Sequence, residues 1–307
     1  MKAAIIKNYA ADIEISEVPK PVPDADSVLV QVHAASLNPI DNIVRAGHMK
    51  DIIPLSFPHV MGYDLSGVIS KVGTNVSGLK PGDAVYARPN QTDAGSLAEF
   101  ALVQADELAL KPTGLSHAEA ASIPLAGLTA WQALIDKAGL KAGQKILIHA
   151  GSGGVGTLAI QLAKHIGAHV ATTTSASNAD LVRSLGADEV IDYKTQTFED
   201  VVSDYDVVLD MLGGDTMKRS FAVLKKGGIL VSIKGQDGDN LAEKHGVRFA
   251  WFLMSPSGEQ LRQLGVLIDK GIVKPVIDSS FELDEVSQAY DRLADGHAAG
   301  KIVVAIR

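Results

Sequence analysis

The sequence predicts an α/β protein, in which a doubly wound parallel sheet is joined to a compact β-barrel-like domain. From about Ser116 onward, short apolar runs alternate with helical segments, the rhythm of strand–helix–strand units. The first third instead carries short β-prone runs broken by turn signals, with a single helical piece. Between these regimes, the apolar run beginning at Ile146 leads directly into Gly151-x-Gly153-x-x-Gly156 and then into an amphipathic helix.

The amino-terminal stretch Met1–Asn8 lacks the apolar core of a secretion signal and reads as a strand. Val28–His33, Gly67–Val72, Ala84–Ala87 and Ala98–Val103 are the remaining strands of the first domain. Turns fall at Pro81–Asp83 and Asp93–Gly95, and a short helix at Ile40–Ala46. In the second regime, strands are expected at Lys145–His149, His169–Thr173, Glu189–Asp192, Val207–Leu212 and Ile229–Ile233. They are near-continuously apolar, as strands covered on both faces are. Helices at Gly154–Ile166, Asn178–Leu185, Phe198–Val202 and Thr216–Leu224 connect them. The first of these repeats Val155, Leu158, Ala159, Leu162, Ala163 and Ile166 at the spacing of one buried face. After a helix at Gly258–Lys270, Gly271–Pro275 reads as a linker. Helix Asp284–Ala294 and strand Lys301–Ile306 are expected to return to the first domain. The expected domains are therefore 1–122, completed by 273–307, and 123–272.

Composition narrows the function classes. At 307 residues, 46% hydrophobic and 21% charged, the chain is an ordinary soluble globular protein with room for two domains. A net charge of −8 with no basic run argues against nucleic acid or an anionic membrane as partner. The absence of cysteine excludes disulfides, thiolate zinc sites, iron–sulfur clusters and cysteine nucleophiles. No apolar run reaches the roughly 18 residues of a membrane helix, so a cytoplasmic protein is expected.

The glycine turn carries the chemistry. Glycines permit a tight turn and close approach to a dinucleotide pyrophosphate, while the helix N-terminus offers free N–H groups and a positive dipole end. Gly151, Gly153, Gly154, Val155 and Gly156 are the expected contacts. An NAD-selective fold places an acid on the ribose 2′-hydroxyl about 20 residues past the turn. Here Thr174 and Ser175 stand there, and no acid occurs before Asp180. That favours NADPH over NADH, with Arg183 or Lys194 as a source of charge. A polar strand end facing solvent is the plain alternative.

Eight segments together carry a family resemblance: Ala35–Asp41, Gly62–Gly67, Pro81–Asp83, Ile123–Ala130, Gly151–Gly156, Leu185–Tyr193, Ser257–Leu261 and Gly300–Val304. Through them the chain resembles the zinc-free branch of the medium-chain dehydrogenase/reductase superfamily, most of all quinone oxidoreductases and alkenal (enone) reductases. The resemblance implies a Rossmann domain, a GroES-like barrel and a homodimer. It departs from zinc-dependent relatives where Asn38 replaces a thiolate ligand and Tyr63 replaces the histidine of a Gly-His-Glu motif. The four-cysteine structural zinc loop is also missing, and His33, His48 and His59 follow no metal-ligand spacing.

Without a metal to stabilise an alkoxide, a conjugated acceptor becomes the fitting substrate, because it spreads the incoming charge and hydrogen-bond donors suffice. Asn38 is the candidate donor to a carbonyl oxygen, with a turn residue before Pro39 as its alternative. Tyr63 either supplies a proton or shapes the pocket. The resemblance further places Thr129 near the nicotinamide or its phosphates, Tyr193 near the adenosine phosphate, Leu212 and Ile233 beside the nicotinamide, and Lys301 at the cofactor cleft. Ordinary packing is the alternative for each. Ile43, His48, Phe249, Trp251 and Phe252 suggest an apolar cleft.

The expected function is NADPH-dependent hydride transfer to a quinone or enone. An enoyl-thioester reductase is the enzyme alternative, although the acidic chain shows no basic groove for a carrier. A cofactor-binding structural or regulatory protein with little turnover is the other. The strand at Gly228–Ile233 lacks the charges or proline that protect a free edge and is the expected dimer edge. A monomer with that edge covered by the 235–246 loop is its alternative.

Overall fold

The computed structural model describes residues 1–90 and 95–307, so the turn expected at Asp93–Gly95 lies, except for Gly95, outside the described residues. The chain divides into one unit of Met1–Leu128 with Pro256–Arg307, and a second of Thr129–Ser255.

The first unit opens with β1 (Lys2–Ile6), β2 (Glu14–Glu17), β3 (Ser27–Leu37) and helix α1 (Pro39–Arg45). It continues through β4 (His59–Val60), β5 (Asp64–Val72), β6 (Ala84–Ala87), β7 (Phe100–Gln104), β8 (Leu108–Leu110), α2 (His117–Ala121) and α3 (Pro124–Trp131), within which the chain passes from the first unit to the second. β3 runs longer than Val28–His33 because nearly all of its side chains are buried on both faces. Register shifts at Leu29/Val30 and Val32/Ala34 bend it against β5, as bulges do at barrel corners. Val28, Val30, Val32, Leu65, Ile69 and Val85 form the core it wraps.

The second unit is six parallel strands: β9 (Lys145–Ile148), β10 (His169–Thr174), β11 (Glu189–Asp192), β12 (Tyr205–Asp210), β13 (Leu224–Ser232) and β14 (Arg248–Trp251). Their spatial order is β11-β10-β9-β12-β13-β14, a doubly wound sheet whose order reverses between β9 and β12. The helices α4 (Gly154–Ile166), α5 (Ala179–Ser184), α6 (Phe198–Val201), α7 (Gly214–Ser220) and α8 (Asp239–His245) connect them. α4 ends where Gly167 takes a φ of 92°, the left-handed conformation that glycine adopts without a Cβ penalty.

Pro256 onward returns to the first unit with α9 (Gly258–Asp269), β15 (Ile277–Glu282), α10 (Val286–Ala294) and β16 (Lys301–Ala305). β16 runs parallel to β15 and antiparallel to β3, completing a seven-stranded sheet.

Two expectations change. The strand at Gly228–Ile233 is not the sheet edge: α8 carries the chain over to β14, which pairs outside β13 from Ile229↔Arg248 to Ser232↔Trp251. The 235–246 segment is thus a crossover rather than an edge cover. Helix α9, which the sequence placed in the sheet domain, belongs to the barrel unit. The Tyr86 hydroxyl donates to Leu261 O at 2.5 Å, and a Cβ on Gly258 would lie 2.3 Å from Leu108 O. The units accordingly divide at 128/129 and 255/256 rather than at 122/123 and 272/273.

Candidate functional site

The glycine turn follows β9, at the reversal of strand order where open α/β sheets bind ligands. Its three glycines answer different demands. A Cβ on Gly151 would sit 1.9 Å from Thr172 Oγ1, and one on Gly156 would sit 2.4 Å from Ala150 O. Both glycines are therefore required by the protein's own packing. A Cβ on Gly153 meets only Ala150 O, at 3.4 Å. Gly153 is the N-cap of α4 with no side-chain cap, so the first N–H groups of the helix, at Gly154, Val155 and Gly156, lack intrahelical partners. The space beside Gly153 together with these donors fits an anionic pyrophosphate.

The end of β10 is polar and uncharged. Thr174 Oγ1 donates to Ser152 Oγ at 2.9 Å, and Asn178 Nδ2 reaches the same oxygen at 3.2 Å. Ser175 Oγ pairs with Ser177 Oγ at 2.9 Å. Ser152 and Asn178 were not singled out from the sequence, although Ser152 lies inside the glycine motif. Tyr193 is half exposed, and its backbone N–H donates to Thr174 O at 3.2 Å, which places it beside this strand end. Arg183 pairs with Asp180 at 3.1 Å on the surface, and Lys194 is exposed.

Asp210 organises the far side of the unit. This fully buried carboxylate accepts from Leu212 N at 3.1 Å, Gly213 N at 3.0 Å and Ser232 Oγ at 2.7 Å. The turn it forms ends β12 at Asp210, two residues before the expected Leu212, and leaves Leu212 exposed. Ile233 N donates to Asp210 O at 3.1 Å. Thr129 is buried in α3. Phe249 packs into the core beside Phe221, and Trp251 lies on the edge strand β14.

His149 was also missed. Its Nδ1 lies 3.1 Å from Thr173 Oγ1 and its Nε2 lies 2.8 Å from Ser220 Oγ. Thr173 Oγ1 also accepts from Ala150 N at 3.2 Å, so the imidazole braces the entry to the glycine turn. Burial pushes it down to about 4, so it is neutral near pH 7.

In the first unit, Asn38 caps α1 and is buried. Its Nδ2 donates to Asp64 Oδ2 at 2.8 Å, and its Oδ1 accepts from Lys301 Nζ at 2.5 Å. Lys301 also reaches Leu37 O at 2.9 Å and Asp64 Oδ2 at 3.1 Å. Its ammonium thus turns into the barrel unit and is buried, whereas the resemblance implied a cofactor-cleft role. Asp64 further accepts from Ser36 Oγ at 3.0 Å and Leu125 N at 2.7 Å. The amide of Asn38 keeps one Nδ2 hydrogen beyond these bonds.

Tyr63 is fully buried, with the Arg88 guanidinium 4.8 Å over its ring. Burial, reinforced by Asp41, pushes its phenol well above the ordinary tyrosine value. As a proton donor it is therefore weaker than a free phenol, and the pocket-shaping alternative gains. Ile43 is half-buried and His48 exposed. His33 stacks on His117 at 4.4 Å, while His59 is buried in β4. Among the described residues, no group of three or more His, Asp or Glu is placed to hold a metal ion.

Two family models match the chain: "Alcohol dehydrogenase GroES-like domain" over residues 24–113 and "Zinc-binding dehydrogenase" over residues 185–304. A tomato (Solanum lycopersicum) 2-methylene-furan-3-one reductase is 41% identical, across 99% of this chain and 79% of that protein. The chloroplastic NADPH-dependent alkenal/one oxidoreductase of Arabidopsis thaliana is 40% identical over the same shares. Among solved structures, the quinone oxidoreductase from Coxiella burnetii superposes with a TM-score of 0.92 at 35% identity, covering 100% of this chain and 99% of that one.

Proposed function

We propose that this chain, which belongs to the medium-chain dehydrogenase/reductase superfamily, reduces quinones or α,β-unsaturated carbonyls with NADPH and without a metal. The observation that carries the reading is the turn at Gly153, open on the protein side and set at the reversal of the parallel sheet. When bound, the nicotinamide supplies the hydride. The turn and the first turn of α4 hold its pyrophosphate, and Thr174, Ser175, Ser152 and Asn178 offer uncharged hydrogen-bonding groups to a 2′-phosphate. Asp210 and His149 brace the ends of β12 and β9 through their hydrogen bonds to Gly213 and Thr173. Thr129, Tyr193, Leu212 and Ile233 keep the cofactor-side roles that the resemblance implies.

Asn38 is assigned as donor to the acceptor's oxygen. The Lys301 ammonium on its Oδ1 polarises the amide and strengthens the remaining N–H. That charge stabilisation stands in for a Lewis acid, because a conjugated acceptor disperses most of the incoming charge itself. A cytoplasmic homodimer forms part of the same reading. Among the described residues, no helix is long and apolar enough to cross a membrane.

The test follows NADPH oxidation against a panel of quinones and enals, with and without chelator. Turnover that survives chelation is expected. Cofactor binding with no turnover on any acceptor, or activity lost to the chelator, overturns the reading.

A further inference from the structure

Near Asn38 lie three buried polar atoms that meet no partner at full hydrogen-bond geometry: Oδ1 of Asp41 and the hydroxyls of Tyr63 and Tyr290, the Tyr290 hydroxyl lying against the Asp41 carboxyl. Exposure is 0% for Asp41 and Tyr63 and 4% for Tyr290, so solvent does not satisfy them. Leaving such buried groups unsatisfied is costly, so they are expected to satisfy one another. The Asp41 charge acts on both phenols, and Tyr63 acts on Tyr290, which brings the three into one neighbourhood. A carboxyl among phenols can satisfy all three in either protonation state. Ionised, it accepts from the hydroxyls; protonated, it donates its own hydrogen to a phenol oxygen. The other Asp41 oxygen accepts the backbone N–H of Asn38 at 2.7 Å.

We infer that Asp41, Tyr63 and Tyr290 form a buried proton-holding unit that positions Asn38, with Asp41 as the residue that gains and loses the proton. The positioning half of this rests on the donor role proposed for Asn38. The groups facing Asp41 are Lys301 on β16, Asp64 on β5 and Arg88 after β6, with Arg45 of its own helix near Tyr290. With Asp41 ionised, it and Asp64 face the cations Lys301 and Arg88, with Arg45 beside Tyr290. With it protonated, the positive charge in excess grows by one, and the bond that fixes the Asn38 backbone weakens. Burial raises the carboxyl to about 7, so both forms are populated near neutral pH.

The experiment compares wild type with D41N, which keeps the shape and an acceptor for the Asn38 N–H but cannot titrate. Melting temperatures are measured from about pH 5 to about pH 9. A raised folded-state value means that wild type loses stability as pH rises toward 7 and levels off above it. D41N should therefore gain on wild type up to about pH 7 and no further. A difference that does not change with pH overturns the proton-holding unit.

In parallel, kcat/KM for an enone should inflect near pH 7 in wild type, while D41N holds the low-pH value throughout. An inflection that persists in D41N overturns the positioning role. If wild type turns over no acceptor at all, the proposed function fails, while the melting comparison still judges Asp41. Should D41N not fold, Y290F replaces it. Removing a donor to the carboxylate should move the melting midpoint to higher pH, and an unmoved midpoint overturns the inference.

Discussion

One absent carbon atom separates the roles of the three glycines in the turn. The Thr172 hydroxyl that a Cβ on Gly151 would strike is buried and committed to Ile148 O at 2.7 Å, so it cannot withdraw cheaply. Gly151→Ala should cost about 1–3 kcal/mol of stability, as overpacking does. Gly153→Val should leave the denaturation curve nearly unchanged while cofactor titration, followed by fluorescence, loses its signal. Equal NADPH binding by a folded Gly153→Val protein would remove the turn from the site. At the end of β10, Ser175→Asp should swing preference from NADPH toward NADH, by repelling the 2′-phosphate and accepting from a ribose hydroxyl. Competition binding with both cofactors checks this, and a wild type that already prefers NADH contradicts the premise. The glycine motif was legible because turn geometry leaves a sequence signature. Lys301 and Asp210 were not legible in their roles, since pattern reading assigns charged side chains to solvent and both are buried here by specific partners.

At the level of elements, short apolar runs bounded by turn residues and the one-faced helix were the easiest to read: Ala84–Ala87, Glu189–Asp192 and helix Gly154–Ile166 fall at the expected bounds. The short strand β14 escaped because four residues between Gly246 and Pro256 present too little pattern. That omission moves the dimer prediction. On this side of the sheet the edge is Arg248–Trp251, where three of the four side chains are only half-buried. A second copy pairing there would satisfy the backbone groups that β13 leaves open. Sedimentation should show a species of twice the chain mass. Ala250→Pro, which removes an N–H and stiffens the edge, should shift it toward monomer. A wild type that stays at the single-chain mass on concentrating would exclude the pairing.

Across the whole molecule, two buried groups tilt stability with pH in opposite directions. His149 has a depressed folded-state value, so its contribution is present above its unfolded value of 6.5 and is lost as pH falls through about 4. The shift amounts to on the order of 3 kcal/mol. Asp41 acts the other way over the same window, because its raised value takes stability away as pH climbs toward 7. The wild-type profile should therefore be flatter between these limits than that of either single variant. His149→Gln keeps hydrogen bonds to Thr173 and Ser220 but cannot charge. In urea titrations its stability should rise as pH falls below 6, because Asp41 still takes up its proton, while wild type stays flatter and falls behind it. Parallel profiles would show that His149 does not titrate on unfolding.

The barrel unit is interrupted, and translation meets its parts in a fixed order. The ribosome releases all of Thr129–Ser255 before it makes β16, the strand that pairs with Ala34–Leu37 and brings Lys301 to Asn38 and Asp64. Until then Asp64 lacks its buried cation, and the barrel cannot close around its own core, whereas the parallel sheet already has every strand it needs. The residues proposed to hold the cofactor are thus all synthesised before the strand that completes the proposed donor group. On the donor role proposed for Asn38, a nascent chain in that interval would have its glycine turn before the group that Lys301 completes.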